Sequence, residues 1–261
     1  MLAMQTDLKT QFVGERNLHN KCLAALSSTA QSILRQHLTD VVLREGTVLW
    51  EPGRPVDDVY FPISGLLSVV FVMTDGACVE VGSIGREACA GSVLNSAQSD
   101  FPTLGMVLIG GDFTRIPGAE LLRVARESDE VKMLLTFAGD WMTMQAQQLA
   151  ACNAVHSADR RFCRWLVQSS RRMETVTLHA TQESIASILG IRRTTVTLIA
   201  QTLQQNGIIQ YRRGKVSVVD MARLQSCACD CLNAVDRRYW PSARLAEAQT
   251  QGRTIERYAR E

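Results

Sequence analysis

The chain has 261 residues, of which 46% are apolar and 21% charged, with a formal net charge of +2. These are ordinary globular proportions, and the length suits two small domains with connectors. No apolar run reaches the roughly 18 residues of a membrane-spanning helix, and the opening MLAMQTDLKTQFVGERN lacks a basic stretch followed by an apolar one, so a cytoplasmic chain with no membrane partner is expected.

The charge is unevenly laid out. Residues 1–155 hold 11 basic and 17 acidic side chains, a net of −6. Residues 156–225 hold 11 and 4, a net of +7, and residues 226–261 hold 6 and 5, a net of +1. One strongly basic segment beside an acidic one is the footprint of a region that meets phosphates joined to a region that does not. The eight cysteines, Cys22, Cys78, Cys89, Cys152, Cys163, Cys227, Cys229 and Cys231, are expected to be reduced thiols. A chain of this length buries a core without needing disulfides. A redox role is open to Cys22, Cys152, Cys227, Cys229 and Cys231.

Residues 1–36 read as a helical lead-in of low information. Residues 37–125 carry short apolar or alternating runs at Val41–Leu43, Thr47–Trp50, Val59–Pro62, Leu66–Met73, Cys78–Ile84, Gly105–Ile109 and Phe113–Ile116. Gly and Pro breaks separate them, and Asp75-Gly76 is a hairpin signal. This texture predicts a jelly-roll-like β-roll.

Near Ala119–Leu122 the period turns helical, and a long helix is predicted from about Ser128 to Ala154, within residues 126–155. Val131, Leu135, Ala138, Met142, Gln145, Leu149 and Cys152 alternate spacings of 4 and 3 along it. That is a coiled-coil seam, for which a symmetric dimer supplies the partner helix, although Leu134, Trp141 and Met144 add a second stripe that suits packing on the same chain. Cys152 on the seam could bridge two subunits or serve as a small core residue.

His156-Ser157 interrupts the pattern, and residues 156–225 form the next unit. A helix from Ser157 or Ala158 to Met173 precedes an extended Thr175–Leu178. Then comes TQESIASILGIRRTTVTLIAQTLQQNGIIQYRRGKVSVVD, residues 181–220. Thr181 suits an N-cap, with Gln182 opening a short helix. Gly190 suits the tight turn, and a second helix runs from about Arg192 to Asn206 with Gly207 closing it. Val196, Ile199, Ala200 and Leu203 bury one stripe of that helix.

Opposite that stripe lie Thr194, Leu198, Gln201 and Gln205, with Arg193 and Thr197 at the edges and Arg192 and Thr195 completing the first turn. A basic, polar first turn suits the major groove of double-stranded DNA, where an arginine fork reaches a guanine edge, while Leu198 suits either a thymine methyl or a dimer or domain contact. The hairpin of residues 210–220 carries Arg212, Arg213 and Lys215 around Gly214, which suits a wing gripping phosphates. Residues 226–261 are expected to form a C-terminal helix and tail, loose from residue 237 on. Within it, Cys227 and Cys231 would share a helical face while Cys229 points away. Three converging ligands would then need a broken helix, so packed thiols and no metal are expected.

The order of β-roll, long helix and winged helix-turn-helix resembles the Crp/Fnr family of transcription regulators over about residues 38–225. Gly65 in YFPISGLLSVV, the HSADRRFCRWL segment and TQESIASILGIRRTTVTLIAQTLQQNGII carry the resemblance. It implies an α+β chain acting as a homodimer on a two-fold symmetric DNA site, with RNA polymerase as a further partner. It also implies that Thr181 contacts phosphate and Arg193 reads guanine. Where the best-known members have an acidic and a basic residue, this chain has Thr194 and Leu198, so a different target sequence is implied.

Cyclic-nucleotide binders of that family pair a Gly-Glu with an arginine some ten residues on. Here Gly85-Arg86-Glu87 fits the first part, but no Lys or Arg lies between Ala88 and Thr114; Ala90-Gly91-Ser92 lacks the Glu. A buried phosphate without a cation is costly, so cyclic AMP is not the expected effector, and the roll either holds another ligand or is a structural remnant. The family's iron–sulfur signature is missing too, since the N-terminus holds only Cys22.

A β-roll enzyme would need a histidine cluster on its strands, yet His19, His37, His156 and His179 all fall outside residues 38–118. No catalytic constellation and no cofactor are expected. The alternative is a small-molecule- or redox-sensing module whose DNA binding is secondary.

Overall fold

A computed structural model of the chain describes residues 19–91 and 102–233. Ser92, the tail from residue 237 and most of the lead-in fall outside the described residues. Of that lead-in, two short helices are seen, α1 (Lys21–Ala24) and α2 (Ser28–Arg35). Asn20 caps the first, and its buried side-chain amide donates to the carbonyls of Pro62 and Ala88, both at 3.0 Å. A polar side chain can be buried at no great cost when it is satisfied in this way.

The roll consists of β1 (Thr39–Leu43), β2 (Val48–Trp50), β3 (Asp58–Pro62), β4 (Leu66–Val72), β5 (Cys78–Ile84), β6 (Ala90–Gly91), β7 (Thr103–Ile109) and β8 (Gly111–Pro117). They form two antiparallel four-stranded sheets, β1-β8-β3-β6 and β2-β7-β4-β5. Phe61, Leu67, Ile84, Val107, Phe113 and Ile116 fill the space between them. Gly65 is required by this packing, because a Cβ there would stand 2.2 Å from the Phe113 ring.

Strand β4 is buried without alternation along its first five residues, which has a plain cause. Leu67 and Val69 face the roll interior, while Leu66 joins Leu108 and Ile109 in a second core beneath the C-terminal helices. A strand covered on both faces reads as a continuous apolar run.

Helix α3 (Gly118–Glu127) leads into α4 (Asp129–Val155), which is capped by Ser128. Four of the seven positions expected on the dimer seam, Val131, Ala138, Gln145 and Cys152, are buried within the chain itself. For these four the sequence expectation is corrected. A stripe that packs on its own roll and a stripe that packs on a partner have the same spacing, and Leu134 and Trp141 pull this one inward. Leu135, Met142 and Leu149 remain half-buried.

Beyond α4 come α5 (Ala158–Met173), β9 (Thr177–His179), α6 (Gln182–Leu189), α7 (Arg193–Gln205), β10 (Ile209–Arg212), β11 (Lys215–Val218) and α8 (Met221–Cys227). The three strands form a small sheet in the order β10-β11-β9. Helix α8 stops at Cys227, and a 3-10 turn follows at Asp230–Asn233. The continuous helix expected across Cys227–Cys231 is therefore interrupted at Ala228, whose backbone is extended.

This C-terminal unit is pinned to the roll by Arg172, in the last turn of α5. Its guanidinium lies 3.1 Å from a carboxylate oxygen of Glu87, and both side chains are buried. It also donates to the Ser83 carbonyl at 3.0 Å, to the Ser83 hydroxyl, and to Gln145 Oε1 of α4 at 2.9 Å. Its flat face lies 5.9 Å from the centroid of Trp141. Gly85 permits the approach, since a Cβ there would stand 2.7 Å from Arg172 Cβ. Nearby, Glu80 accepts from Ser68 at 2.7 Å, and burial raises its pKa above the usual carboxylate range.

Removing one partner of a buried pair leaves an uncompensated charge, which costs about 3–5 kcal/mol. Arg172→Met is therefore expected to lower stability by about that much in urea denaturation, and Glu87→Gln added to it to restore about 1 kcal/mol or more. Strictly additive losses would show that the two groups do not interact.

Candidate nucleic-acid interface

Thr181 is the N-cap of α6, and its hydroxyl accepts from Ser184 N at 3.0 Å. Gly190 ends that helix with φ +60°, a left-handed conformation that glycine adopts without a Cβ clash. The chain turns through Ile191 and Arg192 and enters α7. Between the two helices Ile185, Ile188, Leu189, Val196, Ala200 and Leu203 are buried together. The apolar stripe read from the sequence is thus the one that packs, with Ile199 partly covered. This burial sets the angle between the helices and turns the first part of α7 outward.

On that outward side Arg192, Arg193, Thr194 and Leu198 are exposed, Leu198 to 64%, with Thr195 and Thr197 half-buried. Thr197 donates to Gln182 Oε1 at 2.7 Å, which ties the two helices across the turn. Arg193 lies 3.8 Å from Glu183, an exposed pair of little net strength that leaves the guanidinium able to swing onto another acceptor.

The wing is a two-residue hairpin. Arg212 pairs with Lys215, and Arg213 and Gly214 between them have φ +52° and +71°. Two left-handed residues in succession make the turn whose twist matches that of the strands, and Asn-Gly is its favoured sequence. An arginine there is a strained choice. Arg212, Arg213 and Lys215 are all cations at this tip, with Arg212, Arg213 and Lys215 each exposed.

The tip is held against α6. Ala180 N donates to the Gly214 carbonyl at 2.9 Å, and the Tyr211 hydroxyl donates to the Ala180 carbonyl at 2.7 Å. Burial pushes the Tyr211 phenol up to about 12, so it stays a donor throughout the neutral range. Gln204 of α7 accepts from Tyr211 N at 2.8 Å. Thr181, the first turn of α7 and the three cations of the wing thus form one exposed, basic, rigidly braced surface. The sequence pattern points to the surface but not to the braces Tyr211 and Gln204, whose roles depend on contacts between elements.

Residues 160–227 match the family model described as a Crp-like helix-turn-helix domain. No curated protein matches the chain by sequence. Among solved structures, the chain is similar to FixK2 from Bradyrhizobium japonicum, with 17% identity and a TM-score of 0.62 over 74% of this chain and 98% of that one. It is also similar to CLP from Xanthomonas campestris, described as a c-di-GMP-responsive global regulator, with 16% identity and a TM-score of 0.61 over 74% and 99%. A CRP/FNR-family transcriptional regulator from Thermus thermophilus gives 21% identity and a TM-score of 0.56 over 72% and 97%.

The chain has the fold of the Crp/Fnr transcription regulators, a cyclic-nucleotide-binding-like β-roll joined by a long helix to a Crp-like helix-turn-helix domain. Among the described residues no helix is long and apolar enough to cross a membrane.

The strained wing yields a stability test. An L-residue other than Asn or Gly in the left-handed region costs about 1–2 kcal/mol, so Arg213→Asn is expected to raise unfolding stability by about 1 kcal/mol in urea. An unchanged or lowered stability would mean that Arg213 is held in place by contacts that outweigh its strain.

Proposed function

We propose that the chain is a sequence-specific, DNA-binding transcription regulator that acts as a homodimer on a two-fold symmetric site. The observation that carries the reading is the braced basic surface of α6, α7 and the wing. Thr181 and the wing cations Arg212, Arg213 and Lys215 grip phosphates, which fixes the register of the protein on the duplex. Arg193 reaches a guanine edge from the first turn of α7, and Arg192, Thr194, Thr195, Thr197 and Leu198 complete the reading face, with Gln182 holding Thr197 in place. Residues 156–225 are the reader, residues 126–155 the dimer helix and residues 37–125 the sensor.

Because the inner stripe of α4 is already buried, the partner helix meets its outer face. There Thr136, Gln147 and Ala150 are exposed, flanked by half-buried Leu135, Met142 and Leu149. The small side chains of Thr136 and Ala150 allow two helices to approach closely, while the apolar residues beside them supply burial.

The effector is not cyclic AMP. Glu87, in the stretch that resembles the ribose-binding pair, is held by Arg172 of the reader itself. That leaves the carboxylate engaged and brings no free cation for a cyclic phosphate. No histidine lies within residues 38–118, which argues against a metal enzyme on the roll, and RNA polymerase enters as a partner through the family resemblance alone.

Fluorescence anisotropy of the full chain on a duplex from upstream of its own gene, with random competitor, tests the reading. Arg193→Ala is expected to weaken specific binding about 10-fold or more and to narrow the preference over competitor. Lys215→Ala is expected to weaken all duplexes alike and to flatten the salt dependence by about one unit of slope. Equal loss on specific and random DNA from Arg193→Ala would refute its reading role.

A further inference from the structure

At the junction between α4 and α5, four side chains from two distant parts of the sequence converge. Cys152 lies in the last turn of α4 and His156 caps that helix four residues on, so the two share a face. Cys229 follows the break after α8, and Cys231 lies in the 3-10 turn. The four ligand atoms all lie within 4.8 Å of one another. Cys152 Sγ stands 3.5 Å from Cys229 Sγ, and Cys231 Sγ stands 3.6 Å from His156 Nδ1.

The two shortest of these separations are close to the edges of a tetrahedron around one ion, and the rest lie within about an ångström of them. With zinc–sulfur bonds of about 2.3 Å and zinc–nitrogen bonds of about 2.0–2.1 Å, the edges come to about 3.8 Å between sulfurs and about 3.6 Å between sulfur and nitrogen. An iron–sulfur cluster shares its ligands among two or more irons, which spreads them wider than a single ion does. Three thiolates and one imidazole form a closed set suited to structural zinc.

The surroundings agree. Cys152 and Cys229 are buried, while Cys231 and His156 are half-exposed and leave an entry path. All of these cysteines are free. Arg164 is an electrostatic neighbour of Cys229. Arg164 is itself buried, and its Nε has no hydrogen-bond partner among the described residues. A site with three thiolates carries net negative charge, and a buried guanidinium with a donor to spare is the complement it needs.

We propose that Cys152, His156, Cys229 and Cys231 bind one zinc ion. Three thiol protons leave to solvent as three sulfur–zinc bonds form, and the neutral imidazole supplies the fourth bond. The ion ties the end of α4 to the segment beyond α8, and so fixes the junction at which the helix-turn-helix unit leaves the long helix. The break at Ala228 is what turns Cys229 inward. Cys227, at the end of α8, is not among the four residues whose ligand atoms converge.

The test uses the purified full chain under reductant, with zinc and cobalt(II) as probes. Elemental analysis is expected to give about one zinc per chain. Cobalt(II) is expected to give the intense visible bands of tetrahedral coordination with sulfur-to-cobalt charge transfer. Cys231→Ser and His156→Ala, both at half-exposed positions, are expected to lower zinc affinity at least 100-fold, while Cys227→Ser leaves it unchanged. Because three thiol protons are released, affinity falls steeply as pH falls.

Three results would overturn the proposal: stoichiometry below about one-tenth, an octahedral cobalt spectrum, or iron and sulfide in place of zinc. Equal loss in Cys227→Ser and Cys231→Ser would overturn the ligand assignment. None of these readouts depends on DNA binding, so they stand apart from the regulator reading.

Discussion

The arrangement of the whole chain rests on one buried guanidinium. Arg172 extends from the last turn of α5 into a space bounded by β5, the Gly85–Glu87 loop and α4. A charge taken out of water must find an opposite charge and enough acceptors, and there is one geometry here that provides both. Glu87 supplies the charge, Ser83 and Gln145 supply acceptors, and Trp141 supplies a flat surface. Apolar contact alone would tolerate a range of angles between α5 and the roll. The directed hydrogen bonds select one. Every residue beyond α5 inherits its position from that selection, including the basic surface.

The same surface depends on a second layer of short-range bracing. The wing is held by the pairing of β11 with β9, by Ala180 N on the Gly214 carbonyl, and by Tyr211, whose hydroxyl and amide tie it to the start of α6 and to α7. Helix α7 is in turn fixed by the apolar face it shares with α6 and by the Thr197–Gln182 bond. Cations on floppy supports lose affinity to ordering entropy. Here the backbone under them is ordered before any phosphate arrives, and only the long side chains remain free to adjust.

Much of this was legible in the sequence. The strands of the roll showed in short runs bounded by Gly and Pro, and the helix-turn-helix in the cap at Thr181, the turn glycine Gly190 and the 3.6-residue stripe from Val196. These are local signals with a local physical cause. The misreadings share the opposite character. Val131, Ala138, Gln145 and Cys152 have heptad spacing, but spacing cannot tell which body covers a stripe. The two-residue strand β6 is too short to leave a period. The break at Ala228 carries neither Gly nor Pro, so nothing in the residues announces it. The grouping of Cys152 and His156 with Cys229 and Cys231 joins segments more than 70 residues apart. Only the C-terminal half shows as a pattern, in the run of Cys227, Cys229 and Cys231.

The central claim is that the basic surface reads a defined sequence as one half of a symmetric pair. The most direct measurement is selection of duplexes by the full chain from a random pool, followed by sequencing. The account predicts an enriched inverted repeat whose half-sites are centred about 10–10.5 base pairs apart, one helical turn. A pool with no enriched motif, or with a single unrepeated one, would contradict it.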